Sequence, residues 1–556
     1  MKESSAYLPG RPSLLALLLA ASLLLAPALE AWAYVYRVKP GGTGDGSSWE
    51  KALGERGLIE TLDKSGNGHE FWLAAGTYRP YVPDEPEGTA SDDETPPSER
   101  SFFLNPGVAM FGGFSGNETA RSQRDWERNT TVLSGLIDLP DSTTTRSYHV
   151  VVVSGDLGYP STLDGFTISG GGAVGDGEHA LGGGMRLTDG YTIIANCTFQ
   201  DNLASRGGGL YVRGGAPLVR DTFFIENEAS NQGGGLYNED SRLSVTDCSF
   251  ADNRARLGGA MMNYAAGDTE GVTSAAQIST PSIKRSSFYG NVALEAGGAV
   301  SNWRSAAMVT DSSFSSNRSF IEGGAMFNRE CSPQISACTF DSNRAENGGA
   351  VTNWDSDPVM TNCTFFSNSA AASGGGMLND KSSVIVVNST FTRNRASSGG
   401  AMFSFECSPI VANSILWGNG TEIRTLGGTI TVSYSIVEGG HAGERNIDED
   451  PRLGALLNNG GFTDTCLPHP ESPAVDSGMP VGSRVSGNVV VPAVDQRGTA
   501  RPKGTGVDMG ACEYSEAPDP PAPAPGGGGG GCESVPAGAG AALVLLPLAL
   551  LLPRRR

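Results

Sequence analysis

Three acidic residues recur at nearly equal spacing and could form a reactive site. Asp201, Glu226 and Asp252 are 25 and 26 residues apart, and each directly precedes an Asn. If each spacing is one turn of a stacked structure, the carboxylates lie about 4.8 Å apart. Such a column could hold a calcium ion or supply the carboxylate pair that cleaves a glycosidic bond. Stacked like charges are costly unless solvated or metal-bound, so an exposed turn position is the favoured interpretation.

Other patterns typical of catalysis are missing from the sequence. The five histidines are scattered and form no HExxH motif: His69, His149, His179, His441 and His469. "GFSGN" at Gly113 does not complete the G-x-S-x-G motif of serine hydrolases. The glycine-rich stretches lack the Lys of a phosphate-binding loop. The three acids are therefore the catalytic candidates, and no cofactor is predicted, with calcium as the one alternative.

A sequence repeat determines where these acids lie. An aromatic residue followed three places later by Asn recurs every 25 or 26 residues, and the Asn positions are Asn202, Asn227, Asn253, Asn291, Asn317, Asn343, Asn368, Asn394 and Asn419. One interval is 38 residues and is explained by an insertion near Ala265. A fixed period of this length indicates stacked units that bury their apolar faces against one another.

The units are predicted to be strands rather than helices. Segments such as "LSVTDCSF" and "SSVIVVNSTF" are rich in β-branched residues, and Gly, Ser and Asn clusters separate them. Leucine is too sparse for leucine-rich repeats, and the calcium-binding nonapeptide motif is absent. Three bends in each period of about 25 residues describe one coil of a right-handed parallel β-helix.

The repeated Asn and Phe residues are predicted to be structural. A second Asn set follows the first by 10 or 11 residues, at Asn238, Asn263, Asn302, Asn328, Asn353 and Asn379, with Ser404 next. Like residues in successive coils form ladders whose amides can bond along the stack. A column of eight Phe, from Phe199 to Phe391, is expected in the core rather than on a carbohydrate-binding surface. Asn or Asp two residues before the Ser/Thr-Phe pair suits the bends.

The two ends of the chain carry signals for export. Residues 1–33 combine Lys2 and Arg11 with an apolar run and "AWA", which predicts a signal peptide cleaved after Ala33 to leave Tyr34 as the first residue. A Pro/Gly linker spans 516–531, and 532–556 form an apolar tail with three closing arginines. The apolar run is short for a membrane span. The tail resembles the C-terminal sorting signals of Gram-negative bacteria, most closely the Synergistota type, which implies processing near Gly531 and Cys532.

The nine cysteines do not predict a disulfide framework. Cys338 and Cys363 occupy the same position in adjacent coils and are close enough to bridge, whereas Cys331 and Cys407 are three coils apart. Buried free thiols are the favoured interpretation for most of them. Cys466 and Cys512 could staple the C-terminal region, and Cys532 belongs to the tail.

The sequence outside the repeats resembles known families of exported proteins. "YRVKPGGTGDGSSWEKAL" and "FWLAAGTYRP" resemble the opening of pectin-lyase-like β-helix proteins, and "FGGFSGNET" and "LDGFTISGG" resemble surface proteins with polymorphic outer-membrane-protein-like repeats. "VDQRGTARPKGTGVDMGACEY" is similar to the end of β-helix proteins that carry a choice-of-anchor domain. We therefore predict a cap and first coils over 34–160, repeat coils over 161–440 and a closing region over 441–515.

These observations favour a binding protein at the cell surface. The formal charge of −21 excludes nucleic-acid binding by electrostatics. We predict an exported, non-enzymatic β-helix protein, adhesin-like or a binding stalk. It would reside at the cell surface or outer membrane through its tail, or be released after tail processing, and its partner would be an extracellular glycan or a host or matrix surface. The alternative is a polysaccharide lyase or hydrolase of the pectin-lyase-like fold acting near the three acids.

Overall fold

Most periods of the sequence form one coil that contains four short parallel strands. The computed structural model describes residues 34–80, 95–139, 143–155, 158–266 and 279–515. One coil runs through strands Thr192–Ala195, Thr198–Gln200, Leu203–Arg206 and Leu210–Arg213. Each strand pairs in parallel with its counterpart one coil later, so the coils stack into four sheets, here called sheets 1 to 4 in that order. The predicted right-handed parallel β-helix is confirmed.

The strand boundaries show how regular the stack is within the described residues. Sheet 1 contains Val35–Val38, Glu70–Ala74, Ala109–Phe114, Ser161–Asp164, Thr192–Ala195, Leu218–Arg220, Ser244–Thr246, Ser282–Lys284, Met308–Thr310, Gln334–Ser336, Val359–Thr361, Ile385–Val387, Ile410–Ala412 and Thr431–Ser433. Sheet 2 contains Gly76–Tyr78, Thr131–Ser134, Thr167–Ser169, Thr198–Gln200, Phe223–Ile225, Ser249–Ala251, Ser287–Tyr289, Ser313–Ser315, Thr339–Asp341, Thr364–Phe366, Thr390–Thr392, Ile415–Trp417 and Ile436–Val437. Sheet 3 contains Gly172–Ala173, Leu203–Arg206, Glu228–Gln232, Arg254–Leu257, Val292–Ala296, Arg318–Ser319, Arg344–Asn347 and Ser369–Ser373. Sheet 4 contains Phe102–Phe103, Val151–Ser154, Met185–Thr188, Leu210–Arg213, Leu236–Glu239, Met261–Tyr264, Val300–Trp303, Met326–Arg329, Val351–Trp354, Met377–Asp380, Met402–Phe405 and Ile423–Leu426.

The coil has four bends where the sequence predicted three. The backbone φ angle is positive at all four bends: 53° at Asp189, 51° at Asn196, 54° at Asp201 and 65° at Gly207. The missed bend is at Gly207, which separates sheet 3 from sheet 4. A Cβ there would lie 2.5 Å from the carbonyl oxygen of Leu210, so the chain turns at a residue without a side chain. Asn and Asp at the other bends tolerate the left-handed conformation.

The two Asn ladders are structural, as predicted. Asn343 is fully buried, and its Nδ2 donates to Asn368 Oδ1 at 2.9 Å and to the Phe314 carbonyl oxygen at 2.8 Å. Its Oδ1 accepts from Nδ2 of Asn317 at 3.1 Å. The second ladder lies in sheet 4, where Asn302 Nδ2 donates to Asn328 Oδ1 at 2.9 Å. Each buried amide is therefore hydrogen-bonded to its copy in the next coil, so the core can contain these polar side chains without leaving them unpaired.

The Phe column forms the apolar half of the same core. Neighbouring rings from Phe199 to Phe391 are stacked with centroids 4.3–5.0 Å apart and planes within 9° of parallel. This spacing is the strand separation of a sheet. Residues 267–278, which contain most of the expected insertion, lie outside the described residues, yet Asn263 pairs with Asn302 and Ser244 with Ser282 without a change of register.

The N-terminal part adds a helix and a hairpin to the first coils. Helix Glu55–Lys64 buries Leu58 and Leu62 in the core cluster that continues into the coils. Leu136–Asp138 and Thr144–Arg146 form an antiparallel pair, and the 3-10 helices are Pro97–Glu99, Arg121–Gln123 and Gly177–Ala180. In the parts of the chain that the structure describes, no helix is long and apolar enough to cross a membrane.

The closing region, residues 441–515, lies against the outside of the coils. One short antiparallel pair, Arg484–Ser486 with Val489–Val490, is its regular structure. Gln496 is buried between two coils of sheet 2, where it donates to Thr339 Oγ1 at 2.8 Å and accepts from Thr364 Oγ1 at 2.6 Å. Polar contacts of this kind attach the region to sheet 2, together with the packing of Ala474 and Met509 on Ile415 and Ile436.

The eight described cysteines are buried thiols without a disulfide. Cys338 and Cys363 are in adjacent coils, and Cys466 and Cys512 are neighbours in the closing region, where burial raises the pKa of both thiols to about 12. The predicted leader, linker and sorting tail (residues 1–33 and 516–556, with Cys532) lie outside the described residues.

Candidate functional site

The structure places the three predicted acids in one column on the outside of a bend. Asp201, Glu226 and Asp252 each follow a sheet 2 strand and precede a buried ladder Asn. All three have positive φ, between 53° and 55°, and all three are exposed. Their side chains extend into solvent because the next residue, Asn, points into the core.

This column has few of the contacts that prepare carboxylates for catalysis. The backbone carbonyl of Asp201, not its carboxylate, accepts a hydrogen bond from Arg146 Nη1 at 3.0 Å. Partial burial raises the pKa of Asp252. Within the described ranges, no three His, Cys, Asp or Glu side chains converge in a way that could hold a metal ion. The geometry is that of an exposed turn.

A second column, not recognised in the sequence, lies on the outer face of sheet 4. It consists of the last residue of six successive strands: Tyr264, Trp303, Arg329, Trp354, Asp380 and Phe405. We call it the aromatic column. Each member follows an inward residue of the second ladder (Asn263, Asn302, Asn328, Asn353, Asn379 and Ser404) and therefore points outward. Six rungs at the strand spacing span about 24 Å.

The planar groups of this column stack on one another at the surface. The guanidinium carbon of Arg329 lies 4.7 Å from the ring centre of Trp303 and 5.2 Å from that of Trp354. Tyr264 packs edge-on against Trp303 with centroids 5.6 Å apart. Trp354 and Phe405 are 39% and 37% exposed. The cation holds the two indole rings in place and leaves apolar ring surface facing solvent.

Two polar atoms in the aromatic column have no hydrogen-bond partner within the described residues. They are the indole Nε1 of Trp303 and the Oδ1 of Asp380, both shielded from solvent. Buried polar atoms are usually paired, so an unpaired donor and an unpaired acceptor in one surface column point to a missing partner. The two rungs are three coils apart, about 14 Å. A single molecule that reached both atoms would have to be extended.

Two carboxyl groups lie beside the strand that contains Trp354. Glu322 accepts from Thr352 Oγ1 at 3.1 Å, and Thr352 lies two residues before Trp354 in the same strand. Asp380 is the register partner of Trp354 in the next coil. Burial raises the pKa of Glu322 to about 7, and nearby Asp380 adds to the rise. Burial also raises the pKa of Asp380. Glu322 is therefore partly protonated at neutral pH.

Sequence reasoning missed this face for an identifiable reason. The Asn and Phe motifs repeat a residue type, whereas the aromatic column repeats a position whose residue type changes from coil to coil. The signal was available one place after each second-ladder Asn, where five of the six residues from Tyr264 to Phe405 are aromatic or basic. His149 and His179, expected to be scattered, also approach each other, with ring centroids 6.2 Å apart.

Solved structures similar to this chain include enzymes and an adhesin. Pectate lyase Pel9A is 13% identical, with 87% of this chain and 97% of that chain covered and a TM-score of 0.34. PfbA, a surface adhesin of Streptococcus pneumoniae, is 10% identical over 74% and 91%, with a TM-score of 0.34. XylC in complex with xylose is 9% identical over 86% and 98%, with a TM-score of 0.38.

The family comparison gives a more specific result. No curated protein matches the chain. The family model described as "Right handed beta helix region" matches residues 158–325 and 274–442, which together cover just over half of the sequence. The matched residues are the coils that carry the Asn ladders and the aromatic column. The chain belongs to the right-handed β-helix family.

Proposed function

We propose that this protein is a cell-surface β-helix protein that binds a neutral, extended polysaccharide along the aromatic column. The observation that carries the proposal is the pair of unpartnered atoms, Trp303 Nε1–H and Asp380 Oδ1, on the same face as the exposed rings. Sugars present an apolar C–H face to aromatic rings and hydroxyl groups at their edges. A hydroxyl accepts from the indole N–H and donates to the carboxylate, so one sugar chain satisfies both atoms.

The charge of the protein favours a neutral ligand over a polyanion. The chain has a formal charge of −21, and the aromatic column itself contains one base, Arg329, and one acid, Asp380, in the coils on either side of Trp354. Long-range repulsion disfavours acidic polymers unless salt or calcium screens it. Binding by a repeated flat surface needs no deep pocket and no cofactor. This fits an adhesin-like or stalk role at a glycan-covered surface.

The binding claim is tested by affinity electrophoresis of the full-length protein in gels that contain neutral or acidic polysaccharides, with and without calcium. We expect retardation by at least one neutral polymer without calcium. Replacing Trp303 and Trp354 together by Ala should weaken retention roughly tenfold or more, since aromatic anchors each contribute more than about 1 kcal/mol.

A matched control replaces two exposed aromatics on the outer face of sheet 2. Phe223 and Tyr289 are 44% and 56% exposed, and their change to Ala should leave retention unchanged. Equal loss in both double variants, or retention only by acidic polymers with calcium, would reject the aromatic column as the binding surface.

The cell-surface part of the proposal rests on the sequence signals at both ends. Deleting Cys532–Arg556 should release the protein into the medium. Mass spectrometry of the surface-retained protein should show Tyr34 as the first residue and no arginine tail. An intact tail in the mature protein would instead support a plain hydrophobic anchor.

Hydrolysis of a bound glycan is the second candidate, and the Glu322–Asp380 pair favours it. A carboxyl group that titrates near pH 7 beside a second carboxylate suits acid and base roles in glycoside hydrolysis. Release of reducing ends that Glu322→Gln abolishes would establish this activity. Asp201→Asn, Glu226→Gln and Asp252→Asn should leave both binding and any turnover intact.

A further inference from the structure

A cavity of about 400 Å³ lies on the outer side of the first strands of sheet 4. The residues in its wall that matter here are Phe103, Tyr148, His149, Glu178, His179 and Arg186. Phe103 and Arg186 both pair with Val152, one on each side, so they point to the same face. Two strands, Leu210–Arg213 and Leu236–Glu239, lie between that of Arg186 and that of Tyr264, so the cavity is distinct from the aromatic column.

His149 presents a hydrogen-bond acceptor in this wall. The residue is 5% exposed, and its Nδ1 lies 3.1 Å from the carbonyl oxygen of Gly182. A carbonyl only accepts, so Nδ1 carries the hydrogen, and Nε2 carries a lone pair. Nε2 is buried and has no partner within the described residues. Burial also lowers the pKa of His149 to about 4, which keeps the ring neutral under ordinary conditions.

Arg186 supplies a donor in the same wall. One of its terminal nitrogens bonds the Glu178 carboxylate, which neutralises the guanidinium charge. Its Nε–H is buried and, within the described residues, unpartnered. Planar surface completes the wall, since the Tyr148 ring is stacked on His179 at 4.5 Å and Phe103 is 46% exposed.

We propose that this cavity binds the ring of a neutral sugar. A hydroxyl group can donate to His149 Nε2 and accept from Arg186 Nε–H, and adjacent hydroxyls allow both bonds at once. A carboxylate cannot donate to Nε2, and an ammonium group cannot accept from Arg186. The apolar face of the sugar ring would pack on Tyr148 and Phe103. This site stands on its own contacts and does not depend on glycan binding by the aromatic column.

The test uses full-length protein labelled with ¹⁵N-histidine, in which the five histidines give five sets of ring signals. The His149 signals are those that disappear in His149→Gln. The probes are the methyl glycosides of glucose, galactose and mannose at millimolar concentrations, with acetate, a carboxylate without hydroxyl groups, as the anionic control. We expect at least one neutral glycoside to shift the His149 Nε2 resonance, and acetate to leave it unchanged.

The donor is tested with Arg186→Lys, which keeps the charge beside Glu178 but lacks the Nε–H. Its affinity for the shifting glycoside should fall roughly tenfold, the loss expected for one hydrogen bond from a charged donor. Arg213→Lys, the same change at an exposed position one coil further along sheet 4, should bind like the parent. The proposal is overturned if no neutral glycoside shifts His149, if acetate shifts it equally, or if Arg186→Lys binds like the parent.

Discussion

The repeat coils and the closing region bury polar groups in opposite ways. In the coils, neutral amides such as Asn317 and Asn343 bond to their copies in the next coil. In the closing region, charges are buried instead: Arg501 and Glu513 form an ion pair at 2.6 Å with both side chains fully inaccessible. The coils repeat one neutral hydrogen bond many times, whereas the closing region depends on a few contacts that each occur once.

The two regions differ in the free-energy cost of losing one hydrogen-bonding or charged partner. A ladder Asn has partners above and below, and its removal leaves neutral groups unpaired, which costs about 1–3 kcal/mol. Removing one member of a buried ion pair leaves an uncompensated charge, which costs about 3–5 kcal/mol. The coils should therefore tolerate change better than the closing region, although they contain far more buried polar groups.

The largest expected effect is in the closing region. Glu513→Gln removes the negative partner of Arg501 and weakens the acceptor of the Lys503 and Asp508 amides. We expect destabilisation of about 3–5 kcal/mol, measured as a shift of the guanidinium midpoint. Glu471→Gln removes an exposed partner of Arg452 and should change stability by less than about 0.5 kcal/mol. Similar midpoints for the two variants would contradict the importance of the buried pair.

The next effect is in the coils. Asn343→Leu should cost about 1–3 kcal/mol, because Nδ2 of Asn317 loses its acceptor and Asn368 loses a donor. Asn488→Leu, at an exposed position of the closing region, serves as the control for the same substitution. If Asn343→Leu melts like the parent, the ladder does not contribute as described.

A smaller effect is expected at the C-terminal end of the first ladder. Glu422 is 4% exposed and accepts from both the backbone N–H and Nδ2 of Asn419, at 2.9 and 2.6 Å. Burial raises the pKa of Glu422 above its usual range. The folded state then holds this proton more tightly than the unfolded state, so the stabilisation that Glu422 contributes is complete below pH 4.5 and is lost as pH rises through the raised pKa.

Denaturation midpoints between pH 5 and 8 measure this dependence. Glu422→Gln should remove a loss of about 1–2 kcal/mol from the parental pH profile. Glu449→Gln, at an exposed position of the closing region, should leave the profile unchanged. If the parent instead becomes more stable from pH 5 to pH 8, and Glu422→Gln removes that rise, the predicted direction of the pH dependence is wrong.

The last prediction compares the coils with the closing region by the reactivity of their buried thiols. Burial raises the pKa of Cys197 and Cys363 in the coils, and of Cys466 and Cys512 in the closing region, to about 12. None of these thiols should react with maleimide in the native protein. In rising denaturant, mass spectrometry should detect labelling of Cys466 and Cys512 first, and Glu513→Gln should advance it. Earlier labelling of Cys197 would reverse the proposed order of the regions.

The same contrast explains what the sequence could and could not predict. The Phe column and both ladders were visible because each coil offers an identical environment, so one residue type recurs at one position. Gln496 and Arg501 were not predictable, since each contacts coils more than 130 residues earlier in the chain and has no copy elsewhere. The aromatic column lies between these cases, because its position repeats while its chemistry does not.

The most direct test of the central claim is a structure of the full-length protein with an oligosaccharide from a polymer that retards it. We predict sugar rings stacked on Trp303 and Trp354, with hydroxyl groups about 2.7–3.2 Å from Trp303 Nε1 and Asp380 Oδ1. An oligosaccharide bound instead over Asp201, Glu226 and Asp252, or on the outer face of sheet 2, would contradict the account.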